Sequence, residues 1–364
     1  MVRRRYLSNK SIYRIPYYNF EINMGFACDM RCSFCFEQKD GYKNQFVSKE
    51  YIDYFVEYIK YIKLTTKIDA VVTIFGGEPF LYIDNLIYLA EKVAPYIISM
   101  NIISNGLNIH KYITEIEYIR NKVKNLRISI SYNFTLQDST RQANTYIPIR
   151  NNIKLLDKYG FAITCNTVFT PKTIHHIGEV CDDFISLKED IPSCKFVWNY
   201  YKDDTSISEI NFDVLRDELL RVQAKIYTLI YDYDNSFRYN LIGAFRGDHR
   251  VDCLFCNVIA ALSPDGSIYP GYDVPFANKY TKDLLRFGRV GDDFVNIDKR
   301  RKELLKLLPV NPPKICKDCP SQCRVIPWRT MVDDISQYNQ MPHPERCEVI
   351  KYIGKYIPVG YESY

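Results

Sequence analysis

Between about residues 16 and 200, six short β-rich runs alternate with stretches of helical period, and this alternation limits the fold more than any other feature of the chain. The runs are "YNFEINM", "DAVVTIF" (69–75), "NIIS" (101–104), "NLRISIS" (125–131), "FAITCNTVF" (161–169) and "KFVWNYY" (195–201). Parallel neighbours need a long, usually helical crossover, and the intervening pieces supply it. In "SKEYIDYFVEYIKYIK", Ile52, Phe55, Val56, Ile59 and Ile62 fall on one stripe, with Ser48 placed as an N-cap. Asp84 stands in the same relation to "NLIYLAEKVA". The alternation predicts an α/β fold with a parallel sheet. Periodicity leaves open a doubly wound sheet or an incomplete barrel.

Near residue 200 the rhythm changes. "DVLRDELLRVQAKIYTLI" reads as a helix, and "VIAALSPDGSIYPGYD" as a hairpin around a Pro-Asp-Gly turn. The remainder is loop-rich, with prolines at 309, 312, 313, 320 and 327. Such a segment buries little apolar area for its length and calls for a metal staple. The expected organisation is an N-terminal extension (1–17), a core (18–200), a linker helix region (201–245) and a cysteine-rich region (246–364). Because the first strand lies so near the start of the sequence, the expectation is that no separate leader-recognition domain precedes it.

The composition, 47% hydrophobic and 25% charged, is that of an ordinary globular protein. No apolar run approaches the roughly 18 residues of a membrane span, and the basic start lacks the apolar stretch of a secretion signal. A cytoplasmic location follows as the expectation. The net charge of +5 is spread among interspersed acidic residues, which argues against a nucleic-acid surface.

Twelve cysteines are many for such a compartment, where disulfides are rare. Cys165, Cys181 and Cys194 are isolated and read as small core residues. The others are clustered, which points to metal. Cys28, Cys32 and Cys35 follow the first strand, at the end where α/β folds place their chemistry. Three thiolates suit zinc with an outside ligand, or a [4Fe–4S] cluster with one iron left open.

The spacing of these three cysteines resembles the signature of the radical S-adenosylmethionine (SAM) family, and further turns support the resemblance in order. "GGEP" (Gly76, Gly77, Glu78, Pro79) follows the second run and resembles the family's SAM-binding turn. "SNG", with Ser104 and Asn105, follows the third, and "QDSTR", with Asp138 and Arg141, the fourth. The resemblance covers roughly residues 18 to 200. It implies a partial (β/α)6 TIM-like barrel with a C-terminal cysteine-rich auxiliary-cluster domain. It also implies that Arg141 offers a fork to the methionyl carboxylate, that Asn166 touches ribose and that Phe34 packs near adenine. The implied chemistry is an electron from the reduced cluster entering the sulfonium, and a 5′-deoxyadenosyl radical removing a substrate hydrogen.

The second cysteine group comprises Cys253, Cys256, Cys316, Cys319, Cys323 and Cys347. Composition alone favours a zinc ribbon from the Cys-x-x-Cys pairs. The segment also resembles the SPASM region of peptide-modifying radical SAM enzymes, which implies one or two auxiliary [4Fe–4S] clusters. The chain departs from that pattern at Gly271 and Tyr272, and at Pro327 and Trp328, where cysteines are expected. Cys316, Cys319, Cys323 and Cys347 still make a four-thiolate set, leaving Cys253 and Cys256 as a pair. Asp273 falls near an aspartate that serves sulfatase-maturing members as a proton acceptor, though its context differs; as a bland alternative it caps a turn.

The resemblance thus implies an oxidative peptide or protein maturase of the kind found in ribosomal peptide maturation, fed by an external flavodoxin- or ferredoxin-type donor. The rival readings are formylglycine formation in a sulfatase, a small-molecule substrate and a zinc-stabilised binding module.

Overall fold

The computed structural model describes residues 17–35, 37, 45–200, 207–231, 258–271, 279–307, 348, 349, 352, 353 and 356. Six strands, β1 (Tyr17–Asn23), β2 (Asp69–Phe75), β3 (Ile97–Ser104), β4 (Leu126–Ser131), β5 (Ala162–Phe169) and β6 (Lys195–Tyr200), form a continuous parallel ladder. Each lies on one of the runs read from the sequence. The third begins four residues early, because a short turn through Pro95 passes straight into the strand with no loop to mark it.

The spatial order is β6-β5-β4-β3-β2-β1, so every new strand is added on the same side of the last. A doubly wound sheet reverses direction at a switch point, and this one does not. Right-handed crossovers in one direction put all the helices on one face and curl the sheet. The partial barrel implied by the resemblance is therefore the observed form. The helices between the strands are α1 (Lys49–Thr66), α2 (Ile83–Val93), α3 (Ile113–Lys122), the single turn α4 (Gln137–Thr140), α5 (Tyr146–Lys158) and α6 (Ile177–Asp190). The long helix α7 (Phe212–Tyr231) follows.

The free edge of β1 is taken by β7 (Val258–Leu262), parallel to it; β8 (Ser267–Tyr269) and β9 (Gly288–Arg289) continue antiparallel. The expected hairpin is thus β7–β8, and it belongs to the same nine-stranded sheet as the strand that leads into the cysteine loop. Gly266 closes its turn at φ +77°, a conformation that suits glycine. Helices α8 (Lys279–Leu285) and α9 (Phe294–Leu307) flank β9.

The helix face of the sheet is largely apolar. Phe20, Ile22, Val72, Ile74, Ile102, Ile128, Ile130 and Phe196 are fully buried there. Phe20 meets Phe55 of α1 edge-on at 6.0 Å, and Phe196 stacks on Phe184 of α6 at 4.6 Å. Burial of each such side chain stabilises by roughly 1.5–3 kcal/mol. The α1 stripe is buried as expected, and Ser48 caps it by accepting from Tyr51 N. Asp84 is a correction: it lies inside the first turn of α2, because the 3-10 turn Pro79–Tyr82 runs directly into the helix. Its carboxylate there still complements the helix dipole. Cys165, Cys181 and Cys194 are buried core residues.

The opposite, concave face is polar. Asn19 and Glu21 on β1, Thr73 on β2, Asn101 on β3, Ser129 on β4 and Thr164 and Asn166 on β5 share it by register. They pair across strands: Thr73 Oγ1 donates to Asn19 Oδ1 and Ser129 Oγ to Asn101 Oδ1, both at 2.9 Å. A closed TIM barrel fills this space with Val, Ile and Leu. Here these described positions are polar instead, so the concave side beneath the strand ends forms a polar-lined trough. The two faces should differ in stability. Ile128→Ala is expected to cost about 2–5 kcal/mol in urea denaturation, and the neighbouring Ser129→Ala about 0.5–1.5 kcal/mol, one neutral hydrogen bond.

Candidate functional site

The site is built where the β1, β2, β3 and β4 ends meet. After β1 the chain turns outward through Gly25–Ala27 into the cysteine loop. Gly77 N donates to Gly25 O and Glu78 N to Ala27 O, each at 2.8 Å. The "GGEP" turn is therefore laid backbone against backbone on the root of the loop. A Cβ on Gly77 would lie 2.1 Å from Ala27 O, and one on Gly76 2.6 Å from Gly25 O. Glycine is required at both places by this contact alone. Tyr82 closes the other side: its hydroxyl accepts from Ala27 N at 2.9 Å, over the space left by Gly25. Pro79 begins the short turn that carries Tyr82, with the Glu78 carboxylate accepting from Phe80 N.

Glu78 also ties the second turn to the third. Its carboxylate accepts from Ser104 Oγ at 2.9 Å and Asn105 N at 2.7 Å. Asn105 then reaches the cysteine loop. Its Nδ2 donates to Asp29 Oδ1 at 2.6 Å and lies 3.7 Å from Cys28 Sγ. Asn108 Nδ2 holds the other oxygen of Asp29 at 2.5 Å.

The fourth strand end holds the far side. Ser33 N and Oγ both donate to Thr140 O, at 3.0 and 2.9 Å. Arg141 Nε donates to Asn133 Oδ1 at 3.1 Å, its Nη1 lies 3.7 Å from Cys32 Sγ, and its guanidinium sits over the Phe34 ring at 5.0 Å. Asn133 itself is bonded to Val168 N and O on β5. Asp138 accepts from Thr145 N and Tyr146 N and so caps α5.

The structure thus gathers Cys28, Cys32, Phe34, Gly76, Gly77, Glu78, Pro79, Ser104, Asn105 and Arg141 around one loop. Cys35 closes that loop with its N donating to Cys32 O at 3.1 Å. Asn166 faces the trough from β5. Asp273, Cys253, Cys256, Cys316, Cys319, Cys323 and Cys347 lie outside the described residues. Sequence reasoning missed Asp29, Asn108, Tyr82 and Asn133. The signals were faint: an acid directly after a cysteine, a second amide just past "SNG", an aromatic in the "GGEP" turn and an amide just after a strand.

Cys28, Cys32 and Cys35 form no disulfide and are partly accessible. Among the described residues no three His, Cys, Asp or Glu side chains converge closely enough for a single metal ion. Zinc needs such convergence, at about 2.3 Å from each sulfur. A cubane offers a separate iron to each thiolate, and three cysteines on one loop are a donor set of that kind. Burial pushes the Cys28 thiol up to about 12, so a cationic partner is needed to hold it as thiolate.

Residues 22–184 match the Radical SAM superfamily. No curated relative matches the sequence. Similar solved structures include a histidine-tagged anSMEcpe with bound AdoMet, at 16% identity and TM-score 0.66, covering 94% of this chain and 93% of that one. Native anSMEcpe with AdoMet and the Cp18Cys peptide aligns at 16% identity and TM-score 0.65, over 94% and 97%. Streptococcus suis SuiB bound to its precursor peptide SuiA aligns at 18% identity and TM-score 0.61, over 85% and 70%.

Two outcomes test this geometry. Gly77→Ala should force the loop root away from the turn and hold less than half the iron of the native chain after anaerobic reconstitution. Burial raises the Glu78 carboxyl from 4.5 to about 7. Between those values the folded chain keeps a proton that the unfolded chain has lost, so stability falls as pH rises from about 5 to 7. Urea midpoints of the iron-free protein should show this decline, and Glu78→Gln should flatten it.

Proposed function

We propose that this chain, whose residues 22–184 match the Radical SAM superfamily, cleaves SAM reductively and uses the result to modify a peptide or protein oxidatively. The observation that carries the reading is the cysteine loop pinned from three strand ends above a polar trough. A [4Fe–4S] cluster on Cys28, Cys32 and Cys35 would supply the electron that opens the sulfonium, and with it hydrogen-abstraction chemistry.

The chain's own residues would bind and orient. The "GGEP" turn with Ser104 is assigned to the amino end of SAM. Arg141 spends Nε on Asn133 and one Nη1 hydrogen on Cys32, which leaves Nη2 to meet the methionyl carboxylate. Phe34, already stacked on Arg141, is assigned to the adenine side and Asn166 to ribose. The trough below would hold the substrate group, with Asn19, Thr73, Asn101 and Ser129 excluding apolar side chains and bonding polar ones.

The peptide substrate is supported by the likeness, over nearly the whole chain, to anSMEcpe bound to a peptide, and by the likeness to SuiB bound to SuiA. In this reading Cys316, Cys319, Cys323 and Cys347 hold an auxiliary cluster and Cys253 and Cys256 contribute to a second. Asp273 takes up the substrate proton, and a small flavodoxin- or ferredoxin-type protein delivers electrons. No described helix is long and apolar enough to cross a membrane, and we assign the chain to the cytoplasm.

Anaerobically reconstituted protein should carry about four irons for the first cluster and about four more for each auxiliary one. It should form 5′-deoxyadenosine from SAM and dithionite, and Cys32→Ala should lower that rate at least a hundredfold. Bound zinc in place of iron, or SAM left intact by fully loaded protein, would refute the reading.

A further inference from the structure

We infer that Asn105 and Arg141 donate hydrogen bonds to the thiolates of Cys28 and Cys32, and so set how readily the cluster accepts its electron. The inference rests on the preceding reading that these cysteines hold a [4Fe–4S] cluster. Neither residue's sulfur contact follows from the SAM-binding roles read from the sequence.

Both donors are fixed in place. Asn105 Nδ2 carries two hydrogens; one is held by Asp29 Oδ1 at 2.6 Å, which turns the other toward Cys28 Sγ at 3.7 Å. Its Oδ1 accepts from Leu107 N at 2.9 Å, so the amide cannot flip without losing that bond. Arg141 is anchored through Nε to Asn133 Oδ1 and by the Phe34 ring against its guanidinium, with Nη1 3.7 Å from Cys32 Sγ. Asn105 and Arg141 are each only 7% exposed. Water therefore screens these contacts weakly.

The direction follows from charge. One-electron reduction places additional negative charge on the cluster and its thiolates. A donor aimed at a thiolate stabilises that state and raises the potential. Arg141 brings a full positive charge as well as a hydrogen, so its effect exceeds that of the neutral Asn105. Asp29 carries the opposite charge beside Cys28, and its contribution is to orient Asn105. Asn125, exposed at the opposite end of the sheet with its Nδ2 donating to Ile98 O at 2.8 Å, touches none of these groups and is the control.

The test is a redox titration of reconstituted full-length protein with dithionite as electron source, followed by the electron paramagnetic resonance signal of the reduced cluster. The relevant signal is the one that changes when SAM is added, which separates it from auxiliary clusters. Arg141→Met should shift the reduced-to-oxidised ratio at a fixed potential about tenfold toward oxidised, about 59 mV for a one-electron couple. Arg141→Lys should recover most of that shift. Asn105→Val should shift the ratio about threefold in the same direction, and Asn125→Ala should leave it unchanged. If Arg141→Met does not retain the cluster, Arg141→Gln replaces it, with a shift between those of Lys and Met. Native midpoints in the iron-replete Arg141 and Asn105 variants would overturn the inference while leaving the proposed function intact. Absence of any SAM-responsive signal in the native protein would instead refute the proposed function.

Discussion

The structure depends on a backbone-to-backbone contact. Gly77 N and Glu78 N reach across to Gly25 O and Ala27 O because neither Gly76 nor Gly77 carries a Cβ to hold the two turns apart. A side chain there would meet peptide atoms, which cannot rotate away. Once the second turn is seated on the loop root, Glu78 is buried and must find donors; Ser104 and Asn105 provide them. That bond in turn places the Asn105 amide against Asp29 and Cys28. The loop is thus fixed in sequence from β2 to β3, and Thr140 and Arg141 hold its far side from β4.

The polarity of the trough is the second constraint. A parallel sheet covered by helices on both faces is built from near-continuous apolar strands. The first strand instead alternates, with Asn19, Glu21 and Asn23 against Phe20 and Ile22. One-directional winding puts every crossover on the apolar side, so the polar side is left for the space under the cysteine loop. The hairpin β7–β8 extends this sheet beyond β1, so part of the cysteine-rich region shares the sheet whose first strand leads into the loop of the first three cysteines.

Sequence and structure divide the site unevenly. The strands, the α1 stripe, the Ser48 cap, the hairpin and the isolated core cysteines were legible, because each follows from local period or turn chemistry. Asp84 was misplaced, because cap rules assume a loop before the helix and a preceding 3-10 turn is invisible to them. Asp29, Tyr82 and Asn133 were illegible. Each acts on a partner far away in the chain, Asp29 on Asn105 and Tyr82 on Ala27, and nothing local distinguishes them from solvated polar residues.

The sequence by itself determined the β/α alternation, the positions of the thiolates after the first strand and the turn residues that follow the next three. These are properties of neighbouring residues, set by backbone sterics and hydrophobic period. Only the tertiary structure decided that the sheet winds one way, that "GGEP" is pressed onto the cysteine loop, and that Asn105 and Arg141 point at sulfur. Those outcomes depend on which strand ends lie side by side, and that is settled by packing the apolar face against helices whose order along the sheet no single segment encodes.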